Sequence, residues 1–384
     1  EGFGRVRKKV CVSENFRVVS YRGVKMLPRK AVLNVKPYQP GKPIEEVKRE
    51  LGLQDVIKMA SNENPLGPSP KAVEAIRKYA GNINRYPEGG CFYLRQAIAK
   101  KLKIKPEQFI FGNGSDEIIG LILRAFVNEG DEVVVASPTF LMYEAASSAH
   151  GAKIKAVPMR YFKYDLKAMK DAVTKNTKVV FIANPDNPNG TYVTRYELED
   201  FLKGLPGETI VFLDEAYFDF VEEQDYPNGL DYLGKNNLIV TRTFSKAYGL
   251  AGLRVGYGVS SPEIIKYMEA VREPFNVNSL AQIGAIGALK DKDFLVRSKK
   301  VVREGKKFLY SEFKAMGVRY VPSVTNFILI EIGSKSGEVT ERLLKKGVIV
   351  RNMKAWGLEN FIRVTVGKES ENKRFIKELK KIIL

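Results

Sequence analysis

Residues 238–257 read LIVTRTFSKAYGLAGLRVGY, and the prediction of the fold starts from this stretch. Its first three residues are apolar and predict a short buried strand. A turn rich in hydroxyl groups leads to Lys246, and a segment with two glycines then brings the chain to Arg254. Open α/β sheets bind ligands at the carboxyl ends of their strands. We therefore expect Lys246 to project its amine into a crevice at such an edge.

The groups around Lys246 suit a phosphate. Thr243 and Ser245 offer hydroxyl groups, and the guanidinium of Arg254 can donate two parallel hydrogen bonds to phosphate oxygens. A lysine beside a phosphate site is what a Schiff base with pyridoxal 5'-phosphate requires. The alternative is a solvated loop lysine followed by a surface arginine, because a lone Ser-Lys pair is common.

The stretch around Lys246 resembles, almost residue by residue, the lysine segment of the fold-type I aminotransferases, in particular the histidinol-phosphate aminotransferases. The resemblance extends over about residues 34–384. It implies the α/β fold of a fold-type I pyridoxal-phosphate-dependent transferase. In that fold a mostly parallel sheet lies between helices, and a smaller α+β domain follows.

The order of the predicted elements agrees with this fold class. Buried strands alternate with helices from residue 109 to residue 242, which is typical of a parallel sheet covered on both faces. Residues 262–315 predict mostly long helix, and strands and helices mix in the remainder. The predicted strands are 109–111, 132–136, 154–157, 178–183, 209–213 and 238–242, then 318–321, 327–332, 348–350 and 362–366.

We predict four segments along the chain. They are a basic N-terminal extension at 1–30, an arm at 31–60 that joins the small domain, a large cofactor-binding domain at 61–285 and a small α+β domain at 286–384.

Composition excludes several classes of protein. No run of 18 apolar residues is present, so we expect no membrane span. Cys11 and Cys91 are too few for a disulfide framework or a zinc site, which fits a reducing compartment and predicts a cytoplasmic protein. His150 is the only histidine, so a site with several histidine ligands is excluded and no metal is predicted.

The net charge of +19 does not predict a nucleic-acid partner. Residues 1–30 hold nine basic groups against Glu1 and Glu14, which accounts for +7, and the other basic residues alternate with acids as on solvated helix faces. No basic stripe with aromatic residues is present. A cofactor-binding transcriptional regulator would need a separate DNA-binding module, for which 30 residues are too few.

A glycine-containing turn follows the strand at 109–111 and opens a helix. The amides of Gly114, Ser115 and Asp116 would lie at the positive end of that helix, which favours a phosphate. The alternative is a tight turn in which Ser115 or Asp116 only caps the helix.

Two further strands end in polar side chains. Asp214 can pair with a protonated pyridine nitrogen, and Tyr217 and Asn187 can donate to the 3′-oxygen of the ring. Capping of the next element is an equally good interpretation of Asp214. Asn189 stands where the family's usual Asn-Pro-Thr-Gly has threonine. Because asparagine can also cap the following helix, we expect the site to survive this difference.

The resemblance assigns roles to two aromatic residues that their sequence context does not define. Phe140 matches the aromatic residue that stacks on the pyridine ring in the family, whereas core packing is the alternative. Tyr86 matches a tyrosine that reaches the cofactor phosphate of the partner subunit, which implies a homodimer.

Several residues are candidates for holding the substrate. Arg351 and Arg363 lie on or beside predicted strands, where an arginine can bind an anion through two hydrogen bonds; a surface salt bridge is the alternative for each. By resemblance, both match arginines that bind the substrate anion. Tyr38 matches a tyrosine that binds the substrate phosphate, and Asn326 falls where relatives contact substrate or cofactor.

The resemblance also implies the reaction. L-Histidinol phosphate and 2-oxoglutarate would give imidazole acetol phosphate and glutamate in histidine biosynthesis. Lys246 would hold the cofactor as a Schiff base and then shuttle a proton, with Asp214 and Tyr217 as the other catalytic residues. An aromatic or broad-range aminotransferase and a threonine-phosphate decarboxylase share these motifs and stay open as alternatives.

Overall fold

The computed structural model describes residues 20–21, 24–25, 28–33, 35, 37, 39, 41–235 and 237–383. Tyr38 and most of the extension 1–30 lie outside them, so the predictions for these residues are not addressed by the structure. The first elements are a two-stranded antiparallel hairpin, a helix and a short strand. They are β1 (Ser20–Tyr21), β2 (Val24–Lys25), α1 (Ile44–Leu51) and β3 (Ile57–Lys58).

A seven-stranded sheet forms the centre of the larger part of the molecule. Its strands are β4 (Phe109–Gly112), β5 (Glu132–Ser137), β6 (Lys153–Pro158), β7 (Thr177–Ala183), β8 (Ile210–Asp214), β9 (Leu238–Thr243) and β10 (Gly256–Val259). They lie in the order β4-β10-β9-β8-β7-β5-β6. The neighbours from β9 to β6 are parallel, whereas β10 is antiparallel to both β9 and β4. The predicted mostly parallel sheet is confirmed.

Strand β10 was not predicted, because its four residues GYGV include two glycines and show no clear strand pattern. The glycines are needed where β10 passes close to other backbone. A Cβ on Gly256 would collide with the amide nitrogen of Ser115, and one on Gly258 would lie 2.9 Å from a methyl carbon of Ile110. The strand therefore fits only because these side chains are absent.

Helices cover both faces of the sheet because alternate side chains of each strand point to opposite sides. Val133 and Val135 of β5 join the core on one face, whereas Val134 and Ala136 join the core on the other. The helices of this part are α2 (Pro70–Tyr79), α3 (Phe92–Leu102), α4 (Ser115–Phe126), α5 (Met142–His150), α6 (Leu166–Ala172), α7 (Arg195–Leu202), α8 (Pro262–Ala270) and α9 (Ser279–Leu289).

The smaller part is built on an antiparallel sheet. After α10 (Lys292–Ala315) come β11 (Tyr320–Val321), β12 (Phe327–Glu331), α11 (Ser336–Lys345), β13 (Val348–Ile349), β14 (Arg351–Asn352), β15 (Phe361–Thr365) and α12 (Glu369–Ile383). The sheet order is β11-β12-β15-β14, and β13 pairs in parallel with β3. Short 3-10 turns lie at Lys30–Val32, Ala80–Asn82, Pro106–Gln108, Phe218–Phe220, Gly229–Tyr232, Ala251–Leu253 and Lys354–Trp356.

Residues 262–315 are mostly helical, as predicted, and three helices, α8, α9 and α10, share this range. Asn278 and Asp291 interrupt it, because their side chains accept hydrogen bonds from backbone amides and so cap α9 and α10. Only α10 is long, and it connects the two parts of the molecule. Val302 of α10 packs with Tyr217, and further along the helix Phe313 lies in the core of the smaller part. Within the described residues, no helix is both long and apolar enough to cross a membrane.

Candidate active site

A cavity of about 470 Å³ lies at the carboxyl ends of β5, β7, β8 and β9. An adjoining cavity of about 100 Å³ shares five of its lining residues and extends toward the smaller sheet. The larger cavity is lined by ten of the residues singled out from the sequence, namely Ser115, Asp116, Phe140, Asn187, Asp214, Tyr217, Thr243, Ser245, Lys246 and Arg254. The smaller cavity adds Arg351 and Arg363.

Lys246 lines both cavities and comes three residues after the end of β9. Its Nζ donates to the backbone oxygen of Ser61 at 3.3 Å and lies 5.7 Å from the centre of the Tyr217 ring. Burial lowers the pKa of Lys246 from 10.5 to about 8, and the positive charges of Arg363 and Arg254 act in the same direction. A substantial fraction of this amine is therefore neutral near pH 8, unlike an exposed lysine.

Asp214 ends β8 at the bottom of the larger cavity. Its carboxylate accepts hydrogen bonds from the Tyr143 hydroxyl at 2.8 Å, the Thr241 hydroxyl at 3.1 Å and the backbone amide of Ala216 at 3.1 Å. Burial raises the pKa of Asp214 because it disfavours the charged form. The hydrogen bond from the Ala216 amide is the capping contact that was the alternative role for Asp214. The same carboxylate also lines the cavity, so the two roles do not exclude each other.

Tyr143, the donor to Asp214, was missed by the sequence analysis. Its ring is fully buried, stacks on Phe181 at 4.8 Å and meets the edge of Phe140 at 5.5 Å. Burial raises the pKa of Tyr143 well above its ordinary value, so the hydroxyl remains a donor. The available signal was a second aromatic residue three positions after Phe140, which places both on the same side of a helix start.

One end of the larger cavity is formed by the start of α4 and by Arg254. The guanidinium of Arg254 lies 3.5 Å from the Ser245 hydroxyl. Gly114 has a φ of +83°, and a Cβ there would collide with this guanidinium. A glycine is therefore required for the arginine to lie against the first turn of the helix, where backbone amides and the helix dipole add positive potential. Together these groups suit a phosphate.

The smaller cavity is bounded by two arginines that face each other across β14 and β15. Arg363 is buried and donates to the backbone oxygen of Ala60 at 3.1 Å and to the side-chain oxygen of Asn187. Because its oxygen is engaged, Asn187 presents its amide hydrogens elsewhere. Arg351 donates to the backbone oxygen of Gln39 at 2.6 Å, which brings the N-terminal arm to this end of the cavity.

Residues 60–64, ASNEN, also belong to the site, although the sequence analysis did not select them. Asn62 donates from Nδ2 to the Tyr217 hydroxyl at 2.9 Å, and its backbone amide donates to the Thr365 hydroxyl at 2.9 Å. Asn64 donates from Nδ2 to the backbone oxygen of Ala247 at 2.9 Å and to the Ser298 hydroxyl at 2.7 Å. This segment thus connects Tyr217 and the lysine turn to the smaller sheet.

Among the predicted residues that the structure describes, Gly114, Asn326 and Tyr86 line neither cavity, and Gly114 lies against Arg254 instead. Asn326 is buried and donates from Nδ2 to the backbone oxygen of Asn62 at 3.0 Å, so its contact is with the 60–64 segment rather than with the cavity. Tyr86 is 82% exposed and stacks on Phe275 at a centroid distance of 4.8 Å. Tyr38 is outside the described residues.

Asn189 does not cap the following helix, although asparagine is able to do so. Thr194 caps α7 instead, through a reciprocal pair of hydrogen bonds with Glu197. Asn189 donates from its backbone amide at 3.1 Å and from Nδ2 at 2.7 Å to Asp186, a buried carboxylate whose pKa burial raises to about 6. The asparagine therefore stabilises the turn that carries Asn187.

Comparisons with known proteins agree on one family. The family model described as aminotransferase class I and II matches residues 54–379. The histidinol-phosphate aminotransferase of Moorella thermoacetica is 52% identical over 357 residues, which cover 92% of this chain and 92% of that protein. Histidinol-phosphate aminotransferase 2 of Carboxydothermus hydrogenoformans is 47% identical and covers 92% of this chain and 99% of its own.

A solved structure gives the same result. The histidinol-phosphate aminotransferase of Sinorhizobium meliloti, in complex with pyridoxal-5'-phosphate, has a TM-score of 0.84 and 29% sequence identity to this chain. The match covers 89% of this chain and 95% of that one.

Asn62 offers a test of the 60–64 segment, because it has a left-handed backbone with φ of 55°. Asn62→Ala and Asn62→Gly both remove the hydrogen bond to Tyr217, but only alanine is strained at this φ. We expect Asn62→Ala to have a free energy of unfolding lower than that of Asn62→Gly by about 1 kcal/mol. Denaturant titration measures the difference, and equal stabilities would contradict the described backbone.

Proposed function

The chain belongs to the class I and II aminotransferase family, and we propose that it transfers the amino group of L-histidinol phosphate to 2-oxoglutarate. The products are imidazole acetol phosphate and glutamate, in a step of histidine biosynthesis. The observation that carries this proposal is the position of Lys246 between two ends of a cavity that each suit an anion. One end would hold the cofactor phosphate, and the other would hold the substrate.

The residues of the cavity fit pyridoxal phosphate. Arg254, Ser245, Thr243 and the amides at the start of α4 would hold its phosphate, because they offer a charged fork, hydroxyl groups and backbone donors together. Asp214 would hold the pyridine nitrogen, with the ring against Phe140. When bound, the cofactor supplies an aldehyde carbon that condenses with amines and a ring that accepts the electron pair released at the substrate Cα.

Lys246 would move the proton in this reaction. A general base works best when its pKa is near the operating pH, and burial has lowered the pKa of Lys246 to about 8. The hydrogen bond to the Ser61 backbone oxygen orients the amine over the Tyr217 ring. From this position we propose that the neutral amine takes the proton from the substrate Cα.

Three other side chains would tune the ring of the cofactor. We propose that Asp214 stays ionised against a protonated ring nitrogen, since the Tyr143 and Thr241 hydroxyls donate to it. Asn62 donates a hydrogen bond to the oxygen of the Tyr217 hydroxyl. The hydrogen of that hydroxyl therefore stays available for donation to the 3′-oxygen of the cofactor. Asn187 would donate to the same oxygen.

Arg351 and Arg363 would hold the substrate anions in turn. The reaction requires one subsite to accept a phosphate ester from one substrate and a carboxylate from the other. Guanidinium groups serve both, because each anion presents a pair of oxygens to the planar fork. We keep Tyr38 as a proposed ligand of the substrate phosphate, since the backbone of the adjacent Gln39 contacts Arg351.

We further propose that the protein is a homodimer, located in the cytoplasm, with the segment boundaries given in the sequence analysis. Several exposed apolar side chains lie within residues 83–93 and at Phe275, which stacks on Tyr86. A second copy of the chain would cover such a surface. These side chains are Ile83, Tyr86, Phe92, Tyr93 and Phe275. Such a surface would bring Tyr86 to the cofactor phosphate of the partner subunit.

The substrate assignment can be tested by absorption spectroscopy of the protein loaded with pyridoxal phosphate. Addition of L-histidinol phosphate should convert the band of the lysine-bound cofactor to that of its amino form, and 2-oxoglutarate should restore it. A band that responds only to phenylalanine or tyrosine would indicate an aromatic aminotransferase. Lys246→Ala is the control: it should lower turnover by about a thousandfold or more while sparing the fold, so retained turnover would reject the role of Lys246.

The lowered pKa of Lys246 predicts how attachment of the cofactor depends on pH. The neutral amine fraction should rise through about pH 8 rather than 10.5, because burial and two arginines disfavour the ammonium form. In the protein stripped of cofactor, the rate at which the band grows on addition of pyridoxal phosphate should therefore rise from about pH 7 to 9 and then level off. Arg363→Gln should move the midpoint upward. A midpoint near that of free lysine would contradict the prediction.

A complementation experiment tests the shared site. Lys246→Ala lacks the amine, and Tyr86→Phe lacks the hydroxyl proposed to reach the partner. A mixed dimer would contain one complete site, because Lys246 of one protomer would combine with Tyr86 of the other. Co-expression of the two variants should therefore give more activity than the sum of the separate variants. If Tyr86 serves its own protomer, or none, mixing will give no gain.

A further inference from the structure

Trp356 lies beside the two arginines of the smaller cavity, and no role has yet been assigned to it. It ends a 3-10 turn, Lys354–Trp356, in the loop between β14 and β15. The indole lines the 100 Å³ cavity and is 7% exposed. The same side chain therefore belongs both to the core of the smaller part and to the wall of the substrate subsite.

The indole is close to both guanidinium groups. The Cζ atom of Arg351 lies 5.1 Å from the ring centre, and the Cζ atom of Arg363 lies 5.9 Å from it. Both distances are within the range in which the negative face of an aromatic ring attracts a cation, and tryptophan is the most effective ring. One side chain thus contacts the two positive charges that we propose as ligands of the substrate anion.

The two arginines need such a contact because of their register. Arg351 and Arg363 are directly opposite each other on neighbouring antiparallel strands. Like charges at opposed positions repel, and a partly buried site screens that repulsion less than water does. Arg351 also donates to the backbone oxygen of Gln39. Without the additional attraction of a neighbouring ring, we expect the less buried Arg351 to turn toward solvent and leave the cavity.

Packing holds the indole in place. Met353, Val321 and Leu329 form a buried cluster with Trp356, and Phe361 packs against it. The indole Nε1 is buried without a hydrogen-bond partner among the described residues. The ring face, rather than the N–H group, is therefore what Trp356 offers to its charged neighbours.

We propose that Trp356 is a positioning residue for the substrate anion, in that its ring holds Arg351 and Arg363 side by side toward the cavity. This inference rests on the proposed function, because it assigns the arginine pair to the anion of the substrate. It predicts that the apparent affinity for both substrates depends on an aromatic ring at position 356, whereas the rate of the chemical step depends on it much less.

Steady-state kinetics of three variants test this role. Trp356→Leu should raise KM for histidinol phosphate and for 2-oxoglutarate by about tenfold, the size of one partly desolvated cation–π contact, and change kcat by less than about threefold. Trp356→Phe keeps a ring and should stay within about threefold of the parent KM. Phe361→Leu is the matched control, since it loosens the same cluster and should leave both KM values unchanged.

A second measurement uses the parent protein, in case Trp356→Leu fails to fold. Trp356 is the only tryptophan of the chain, so its fluorescence reports on this subsite alone. In the cofactor-loaded protein, the site for the cofactor phosphate is already filled. Titration of this protein with inorganic phosphate should change the tryptophan emission saturably. Sodium chloride at equal ionic strength should leave the emission unchanged.

The outcomes separate this inference from the proposed function. Unchanged emission at saturating phosphate, or equal KM values for Trp356→Leu and Phe361→Leu, would overturn the role of Trp356 while turnover of histidinol phosphate persists. Absence of that turnover in the parent protein would instead overturn the proposed substrate. The phosphate titration would still decide whether Trp356 adjoins an anion subsite.

Discussion

The removal of Lys246 and Asp214 from water is the constraint on which the rest of the site depends. A buried ammonium or carboxylate is unfavourable unless neighbouring groups compensate for the lost hydration. Around Asp214 the compensation comes from two hydroxyls and one backbone amide. Around Lys246 it is incomplete, because burial and the positive charges of Arg363 and Arg254 outweigh the opposing effect of Glu63 and Asp214, and the lowered pKa follows from this imbalance. The same imbalance makes the amine a usable base.

The 60–64 segment makes the two parts of the molecule act as one site. Asn62 contacts Tyr217 in the larger part and Thr365 in the smaller part, and Ala60 accepts a hydrogen bond from Arg363. The arginine in turn holds the side-chain oxygen of Asn187. A substrate anion bound at Arg363 would therefore be connected, by direct contacts, to both side chains proposed to bind the 3′-oxygen.

The prediction from sequence was accurate for residues whose position follows from the end of one strand. It failed for residues whose role depends on a contact with a distant part of the chain. Lys246 and Asp214 were selected because each follows a buried strand, and the structure places both in one cavity. The strand β10 was missed because two glycines hide its pattern, and the division of 262–315 into three helices depends on two capping side chains. Asn189 stabilises its own turn, since a buried acceptor, Asp186, lies next to it.

The sequence by itself determined the fold class, the family and the chemical groups of the candidate site, because alternating apolar runs and residues at strand ends are local features. The tertiary structure decided which distant residues contact them. Asn62 and Trp356 carry no local signal, since each acts through a partner many positions away or on another strand. Tyr143 carries only its spacing from Phe140, and its contact with Asp214 arises from the fold. Burial likewise arises only when the chain has folded, so the shifted pKa of Lys246 could not be read from its neighbours in sequence.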